Sequence, residues 1–231
     1  MKNLASPKST SHLILKRHLL ALAVSTGLGL GGTVQAANFD VTVMQDQGDG
    51  TDPTNTGTLS WAIRQANATA GTDTITLKTD VVVQGVMKSL IDSDLTLQND
   101  GSPRSISGSN TYRPLFIKSG TVKIKNLTLK DGKAKGGDSY HGGGGAGLGG
   151  ALFVYQGNVS LEGVDFVNNQ AIGGSGGVAA IDATGNSHYG AGGGGMLGNA
   201  SLLGGGGLFA SANANVGGYG GNGKYSGGLS A

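Results

Sequence analysis

Three aspartates in the stretch DQGDGTD, residues 46–52, have the type of side chain that could hold a metal ion. Asp46, Asp49 and Asp52 offer the carboxylate oxygens that calcium prefers, but their spacing misses the ligand pattern of an EF-hand loop. GGYGGN at 217–222 approaches a calcium-binding nonapeptide, yet it has Asn222 in place of the carboxylate and does not recur. Both stretches therefore predict turns, with no metal site and no cofactor.

Carboxylates that could perform acid–base catalysis are sparse in the second half of the chain. Polysaccharide hydrolases need a pair of them, and calcium-dependent lyases need clustered acids beside a basic residue. Asp165 falls on the outward side of a predicted strand, Glu162 and Asp182 fall in turn or loop contexts, and no arginine follows Arg113. We therefore predict no catalytic residues, and we keep a polysaccharide lyase or hydrolase as the alternative interpretation.

Aromatic residues of the Gly-rich loops are the other candidates for function. His141 and His188 are not part of an arguable Ser-His-Asp arrangement, so the pattern favours solvated loop residues. A binding protein would make its contacts through outward strand residues and loop aromatics. The predicted binding residues are Tyr140, Tyr189 and Tyr219.

The first 36 residues have the pattern of a secretory signal peptide. A basic segment without acidic residues precedes an apolar run at 19–30, which is too short and too Gly-rich to span a bilayer. Val34-Gln35-Ala36 is a small-x-small cleavage site, with Ala37 as a competing position. The basic residues of this leader are Lys2, Lys8, Lys16 and Arg17. Without them the 16 basic residues of the chain no longer outnumber its 14 acidic ones, so the charge indicates no nucleic-acid partner.

Glycine and cysteine contents also suit an exported protein. The chain has no cysteine, so no disulfide would prevent it from threading unfolded through a membrane pore. It has 46 glycines, most of them after residue 136. The apolar alternation continues between the Gly-rich stretches, which predicts loop insertions at 136–150 and 173–207.

One apolar pattern occurs twice, as PLFIKSGTVKIKNLTLKDGK at 114–133 and ALFVYQGNVSLEGVDFVNNQ at 151–170. Each copy holds three short apolar triplets, and Asp131-Gly132 and Asn168-Asn169 occupy corresponding turn positions. Glycine and asparagine tolerate the left-handed backbone that such a turn requires. The residues predicted to face inward are Val122, Ile124, Leu127 and Leu129 in the first copy, and Val159, Leu161, Val164 and Phe166 in the second.

Triplets this short suit a chain that turns after each strand and stacks its successive turns about 4.8 Å apart. One such turn cannot bury enough apolar surface to fold alone, so the repeats must stack into a solenoid. TLSWAIRQANATAG at 58–71 is the one amphipathic helix after the leader, with Thr58 as its cap and Gly71 at its end. It precedes the repeats, which predicts that it caps the first turn.

These residues resemble a known group of proteins. GDGT at 48–51 and GTLSWAIRQANATAGTDTITL at 57–77 are similar to the N-terminal segment of bacterial surface β-helix proteins, which often carries a CSLREAI-type motif, although Gly57 stands where that motif often has cysteine. Gly149-Gly150-Ala151-Leu152 and Phe166-Val167-Asn168-Asn169 resemble the GGA(I/L)…FxxN repeat of polymorphic outer-membrane proteins. The resemblance implies a right-handed parallel β-helix, an autotransporter passenger, and adhesion as its role.

We therefore expect an all-β protein: a right-handed parallel β-helix, or pectin-lyase-like solenoid, with an N-terminal capping helix and Gly-rich insertions. The expected organisation is a signal peptide (1–36), a cap strand and helix (37–71), and an incomplete β-helix (72–231). The resemblance implies a Gram-negative cell surface and a receptor or glycan on a host or neighbouring cell. It also implies an outer-membrane translocator barrel, for which this sequence has no strands, so we expect an N-terminal fragment or truncated product.

Overall fold

A computed structural model describes residues 36–139, 142–177, 194–196 and 199–200, all within one compact unit, Ala36–Ala231. The described part is built mostly from short strands, with one α-helix, α1 (Leu59–Ala68), and a 3₁₀ turn at Pro53–Asn55. The strands are β1 (Asn38–Val41), β2 (Gln45–Asp46), β3 (Asp73–Leu77), β4 (Val81–Val83), β5 (Leu95–Asn99), β6 (Arg104–Ser107), β7 (Leu115–Ile117), β8 (Thr121–Lys125), β9 (Leu127–Lys130), β10 (Lys133–Lys135), β11 (Leu152–Val154), β12 (Asn158–Glu162), β13 (Asp165–Val167) and β14 (Gln170–Ile172).

The strands form parallel sheets, and strands that are adjacent in sequence lie in different sheets. Sheet 1 has the order β1-β3-β5-β8-β12, and sheet 2 has the order β2-β4-β6-β9-β13. Two further pairs, β7–β11 and β10–β14, are also parallel. Parallel neighbours cannot be joined by tight hairpins, so each connection must travel to another sheet before it returns. The fold is therefore mostly strands in parallel sheets, as predicted.

The two copies of the sequence pattern lie directly beside one another. Leu152 pairs with Leu115, Leu161 with Ile124, and Phe166 with Leu129. This register matches the alignment of the two stretches residue for residue, and it extends to Ala171 beside Ala134. The predicted correspondence of the copies is confirmed.

The core is made of rows of inward side chains that run across the sheets. In sheet 1, Ile75 is followed in register by Leu97 and Ile124, and all three are fully buried. Because side chains alternate between the two faces of each strand, the intervening residues, such as Lys123, are exposed to solvent. The first-copy residues predicted to face inward are all buried: Val122, Ile124, Leu127 and Leu129.

The second copy differs from the prediction in its burial. Leu161 and Phe166 continue the inward rows but are 46% and 49% exposed, and Val159 and Val164 are only partly buried. The reason is that β12 and β13 are the last strands of sheets 1 and 2, so no described strand covers their far side. The direction predicted for these side chains agrees with the register, but the prediction that they are enclosed is wrong.

Residues with a left-handed backbone conformation (positive φ) recur at corresponding turns of the two copies. Asp131 has φ 51° and Asn168 has φ 54°, both between a sheet 2 strand and the strand that follows. Asn126 and Gly163 repeat this conformation between the sheet 1 and sheet 2 strands, with φ 52° and 61°. Asn, Asp and Gly adopt this region at low cost, so the sequence favours a change of direction at these points.

Helix α1 begins where predicted, because the Thr58 side chain accepts a hydrogen bond from the Trp61 amide at 3.2 Å. Its buried stripe is Leu59, Ala62, Ile63 and Ala66. The helix packs against β1 and β3, and Trp61 meets Phe39 of the edge strand β1 edge-to-face at 6.1 Å. The helix ends at Ala68 with Thr69 as its cap, so the prediction that Gly71 closes it is wrong by two positions.

The described parts of the Gly-rich stretches pack on one another through their backbones. Gly145 donates from its amide to the Gly137 carbonyl, and Gly174 donates in turn to the Gly145 carbonyl, each at 2.8 Å. A Cβ at Gly144 would lie 2.0 Å from the Gly174 carbonyl oxygen, closer than atoms can approach. These segments are therefore held together by a spacing that only glycine permits. The greater part of the predicted insertion at 173–207 lies outside the described residues.

Candidate functional site

The binding residues predicted from sequence, Tyr140, Tyr189 and Tyr219, lie outside the described residues, as do His141 and His188. The role assigned to these tyrosines therefore remains a prediction. Asp182 also lies outside the described residues. Other side chains form the candidate site within the described residues.

The aspartates of the 46–52 stretch hold the local fold. Asp46 is fully buried and accepts from the amide and hydroxyl of Ser60 at 2.6 and 2.7 Å, and from the Gly48 amide at 2.7 Å. Asp52 caps the 3₁₀ turn through the Thr54 amide. Among the described residues, no group of three or more His, Cys, Asp or Glu side chains is arranged to hold a metal ion.

The acidic residues considered for catalysis lie in different sheets. Glu162 ends β12 of sheet 1 and pairs with Lys125 at 3.0 Å, so it belongs to a strand, contrary to the prediction of a turn. Asp165 begins β13 of sheet 2 and is exposed, as predicted. The two carboxylates therefore belong to different sheets, and no hydrogen bond or ion pair of the described residues joins them.

The described residues form a cleft of about 230 Å³ with a basic lining. Three segments of the chain contribute to it: the loop after β4, the segment leading into β7, and strand β10. Its lining residues are Val86, Met87, Thr111, Tyr112, Arg113, Phe116, Lys133 and Lys135. The lining has three cationic side chains, no acidic one, and an apolar floor. We name this the basic cleft.

Arg113 lines the basic cleft and is only 6% exposed. Its guanidinium donates to the carbonyls of Leu148 and Gly149 at 2.7 and 2.8 Å. It also lies over the rings of Phe116 and Phe153, 5.8 and 5.3 Å from their centroids. Burial lowers the pKa of Arg113 to about 10, because desolvation penalises the charged form. The arginine thus carries a buried positive charge that is stabilised by carbonyl dipoles and aromatic faces.

No acidic side chain of the described residues forms an ion pair with Arg113. Buried charges in proteins are normally paired, because their transfer out of water is costly. A guanidinium satisfied only by neutral groups therefore leaves a net positive potential at the cleft. An anion that enters would gain from that potential.

Lys133 and Lys135 lie two residues apart on β10, so both side chains are on the same side of the strand and line the basic cleft. Ala134, between them, is fully buried, so Lys133 and Lys135 both turn to the outer side of the strand. Lys135 pairs with Asp138 at 2.5 Å, and this pairing lowers the pKa of the Asp138 carboxyl. The Lys133 ammonium makes no ion pair within the described part of the chain.

Sequence reasoning missed the basic cleft because β10 was not predicted. The stretch KAK holds a single apolar residue, too little for an alternation signal. The available signal was its place directly after Asp131-Gly132, where the repeat must start another strand. In the sequence, Arg113 stands out only as the last arginine of the chain, which does not indicate a cleft.

Comparisons with protein families, characterised proteins and solved structures found no match to the chain. No helix within the described residues is long and apolar enough to cross a membrane. Function must therefore be argued from the sequence patterns and from the geometry of the basic cleft.

Proposed function

We propose that this chain is an exported surface protein that acts by binding and display, and that its basic cleft takes an anionic glycan. The leader at 1–36 supports export, and the resemblance to autotransporter passengers and polymorphic outer-membrane proteins supports an adhesin-type role at a Gram-negative surface. The cationic lining of the cleft, with Arg113 buried and without a carboxylate partner among the described residues, is the observation that carries the choice of ligand.

The proposed architecture is a right-handed parallel β-helix. Its support is the alternation of consecutive strands between sheets 1 and 2, with each strand paired in parallel to one from the preceding or following turn. Crossover connections between parallel strands are right-handed in nearly all proteins, which supports the hand. In this arrangement β1, β2 and α1 form one end, and β12 and β13 form the other.

The ligand class follows from the chemistry of the basic cleft. Lysine and arginine donors bind carboxylate or sulfate groups, and Tyr112 offers a ring and a hydroxyl to a sugar. The cleft is a partly enclosed concavity at the surface, which suits one segment of a long polymer. A uronate-containing or sulfated polysaccharide of a cell surface combines these features. In this proposal Tyr140, Tyr189 and Tyr219 add contacts from the Gly-rich loops.

Binding can be measured with the exported chain by calorimetry, using a sulfated glycan, a polyuronate and neutral dextran as probes. The double variant Lys133→Gln/Lys135→Gln is expected to weaken binding of the acidic probes at least tenfold. The matched control is Lys123→Gln, which removes an exposed lysine from the outer face of sheet 1. Equal affinity of the double variant and the control, or equal binding of dextran, would contradict the ligand assignment.

A polysaccharide lyase or hydrolase remains the second candidate, because a cleft that accepts a uronate chain could also act on it. The described lining holds no carboxylate to serve as a base or a calcium ligand, which is why we place binding first. Incubation with a polyuronate, with and without calcium, decides between the two. Growth of an ultraviolet-absorbing unsaturated product would replace the binding proposal with a lyase.

A further inference from the structure

The carboxyl group of Asp73 faces the protein interior at the first end of sheet 1. Asp73 is fully buried, and it stands in register with Leu95, which is followed by Val122 in the same inward row. A carboxylate in such a row is separated from water, so it needs partners for both oxygens. Asp73 is therefore the exception in a row that is otherwise apolar.

Only one oxygen of Asp73 has a partner in the described structure. Oδ1 accepts a hydrogen bond from the backbone nitrogen of Ala37 at 2.7 Å, whereas Oδ2 is buried and accepts none. Most buried polar atoms in proteins are hydrogen-bonded, and an orphan is costly. The single N–H of an amide at Ala37 can serve only one oxygen well, so a donor is missing at this point.

Ala37 is fixed in place on its other side as well. Its carbonyl accepts from the Thr74 amide at 2.8 Å, which continues the pairing of β1 with β3 by one residue. Ala37 is half-buried, whereas Ala36 is exposed. The peptide bond between these two residues therefore lies at the protein surface, where a protease could reach it.

The sequence places the predicted leader cleavage at the same bond, on grounds unrelated to Asp73. Val34-Gln35-Ala36 is the small-x-small pattern, and cleavage after it makes Ala37 the first residue. A cut at the competing position, after Ala37, would remove the nitrogen that Asp73 binds and leave both carboxylate oxygens without a donor.

We propose that Asp73 is the receptor for the α-amino group that cleavage of the Ala36–Ala37 bond creates. Hydrolysis by a signal peptidase adds one water: the leader departs with a carboxylate on Ala36, and Ala37 keeps the nitrogen as an amine, which takes up a proton. The single N–H becomes an ammonium with three, so one donor can remain on Oδ1 while another serves Oδ2. The buried carboxylate also gains a counter-charge. This inference rests on the export part of the proposed function.

The consequence is that removal of the leader stabilises the first end of the sheets. Before cleavage, the Asp73 charge is buried against one amide. After cleavage, it forms an ion pair that holds Ala37 and strand β1 against β3. Complete folding is thereby favoured after export rather than before it.

The first test is the N-terminal sequence of the exported protein, which we expect to begin at Ala37. A chain that begins at Asn38 or elsewhere would overturn the role of Asp73 while leaving export intact. A chain that is retained in the cell with its leader uncut would instead overturn the proposed export.

The second test compares two purified chains, one beginning at Ala37 and one carrying Ala36 as an additional first residue. In the longer chain the Ala37 nitrogen is an amide, so we expect its thermal midpoint to be lower by about 2–4 °C, the shift expected for one lost interaction in a chain of this length. The difference should vanish in Asp73→Asn and persist in Asp40→Asn, which removes an exposed carboxylate of β1. Equal midpoints for the two wild-type chains, or the same difference in Asp73→Asn, would overturn the proposal.

A labelling measurement covers the case in which Asp73→Asn does not fold. In the wild-type chain beginning at Ala37, an amine-reactive reagent should modify the α-amino group at least tenfold more slowly in the folded than in the urea-unfolded protein. Mass spectrometry of the N-terminal peptide gives both rates. Equal rates would show a free amino group and overturn the proposal.

Discussion

Asn169 in the second copy completes the hydrogen bonds of Gly132 in the first. Its side-chain oxygen accepts from the Gly132 amide at 2.7 Å, and its side-chain nitrogen donates to the Leu129 carbonyl at 2.8 Å. A single amide side chain thus joins the two repeats at the turn, where the strand pairing between β9 and β13 is interrupted.

We predict that Asn169→Ala lowers the free energy of unfolding by about 1–3 kcal/mol, because it leaves a buried donor and an acceptor unpaired. Asn168→Gly is the matched control, since Asn168 has positive φ, which glycine adopts without strain. Urea denaturation of both variants gives the comparison. Equal stability of Asn169→Ala and wild type would mean that water replaces the side chain.

The loss of unfolding free energy on shortening an inward side chain depends on whether its strand lies inside a sheet or at its edge. Ile124→Ala is expected to cost about 2–5 kcal/mol, because Ile124 is fully buried between Leu97 and Leu161. Leu161→Ala should cost less than half as much, since Leu161 is 46% exposed on the last strand of sheet 1. Chemical denaturation measures both values. Equal costs would mean that β12 is covered in solution.

Adjacent glycines in the first Gly-rich stretch provide a test of the backbone packing. Gly144→Ala is expected to lower the thermal midpoint by several degrees, because its Cβ would lie 2.0 Å from the Gly174 carbonyl oxygen. Gly143→Ala should be neutral, since no atom of the described residues lies within 4 Å of a Cβ there. Calorimetry of the two variants checks the prediction, and a loss of the same size in both would contradict it.

Acid should destabilise the loop that precedes α1. The pKa of Asp49 is lowered from 3.8 to about 2 by hydrogen bonds from the Thr51 hydroxyl and from Lys88, which lies 3.0 Å away. A lowered folded-state pKa means that the carboxylate adds stability above its unfolded pKa and loses it as the pH falls from about 4 to about 2. Partial exposure of both partners keeps the contribution small.

Asp49→Asn should therefore reduce the fall in thermal midpoint between neutral and acid pH. Asp40→Asn is the control, because Asp40 is exposed and lies 4.0 Å from Lys78. An unchanged fall in Asp49→Asn would assign the acid sensitivity to other carboxylates.

The strands with a regular apolar alternation could be predicted from the sequence. β3, β5, β8 and β9 each place buried apolar residues two apart, and α1 shows its stripe and its Thr58 cap. The register of the copies followed from their alignment, because each residue of one lies beside its counterpart in the other.

Three other strands and the basic cleft could not be predicted in this way. β6, β10 and β14 hold one or two apolar residues each, and they are strands because a neighbour in the adjoining turn offers hydrogen bonds. The basic cleft joins Met87, Arg113 and Lys133, which lie far apart in the sequence. Only the folding of distant segments of the chain onto one another brings such residues together.

The two ends of the sheets differ, and this difference bears on how the gene can change. Helix α1 packs against β1 at one end. At the other end of the described sheets, β12 and β13 present half-exposed apolar side chains and strand edges that no described strand pairs. A tandem duplication of one repeat would add its strands to those edges in the register already used between the copies, and it would leave the first end unchanged. Length at that end is therefore the property that gene duplication can alter most easily, and homologous chains should differ in repeat number before they differ in α1.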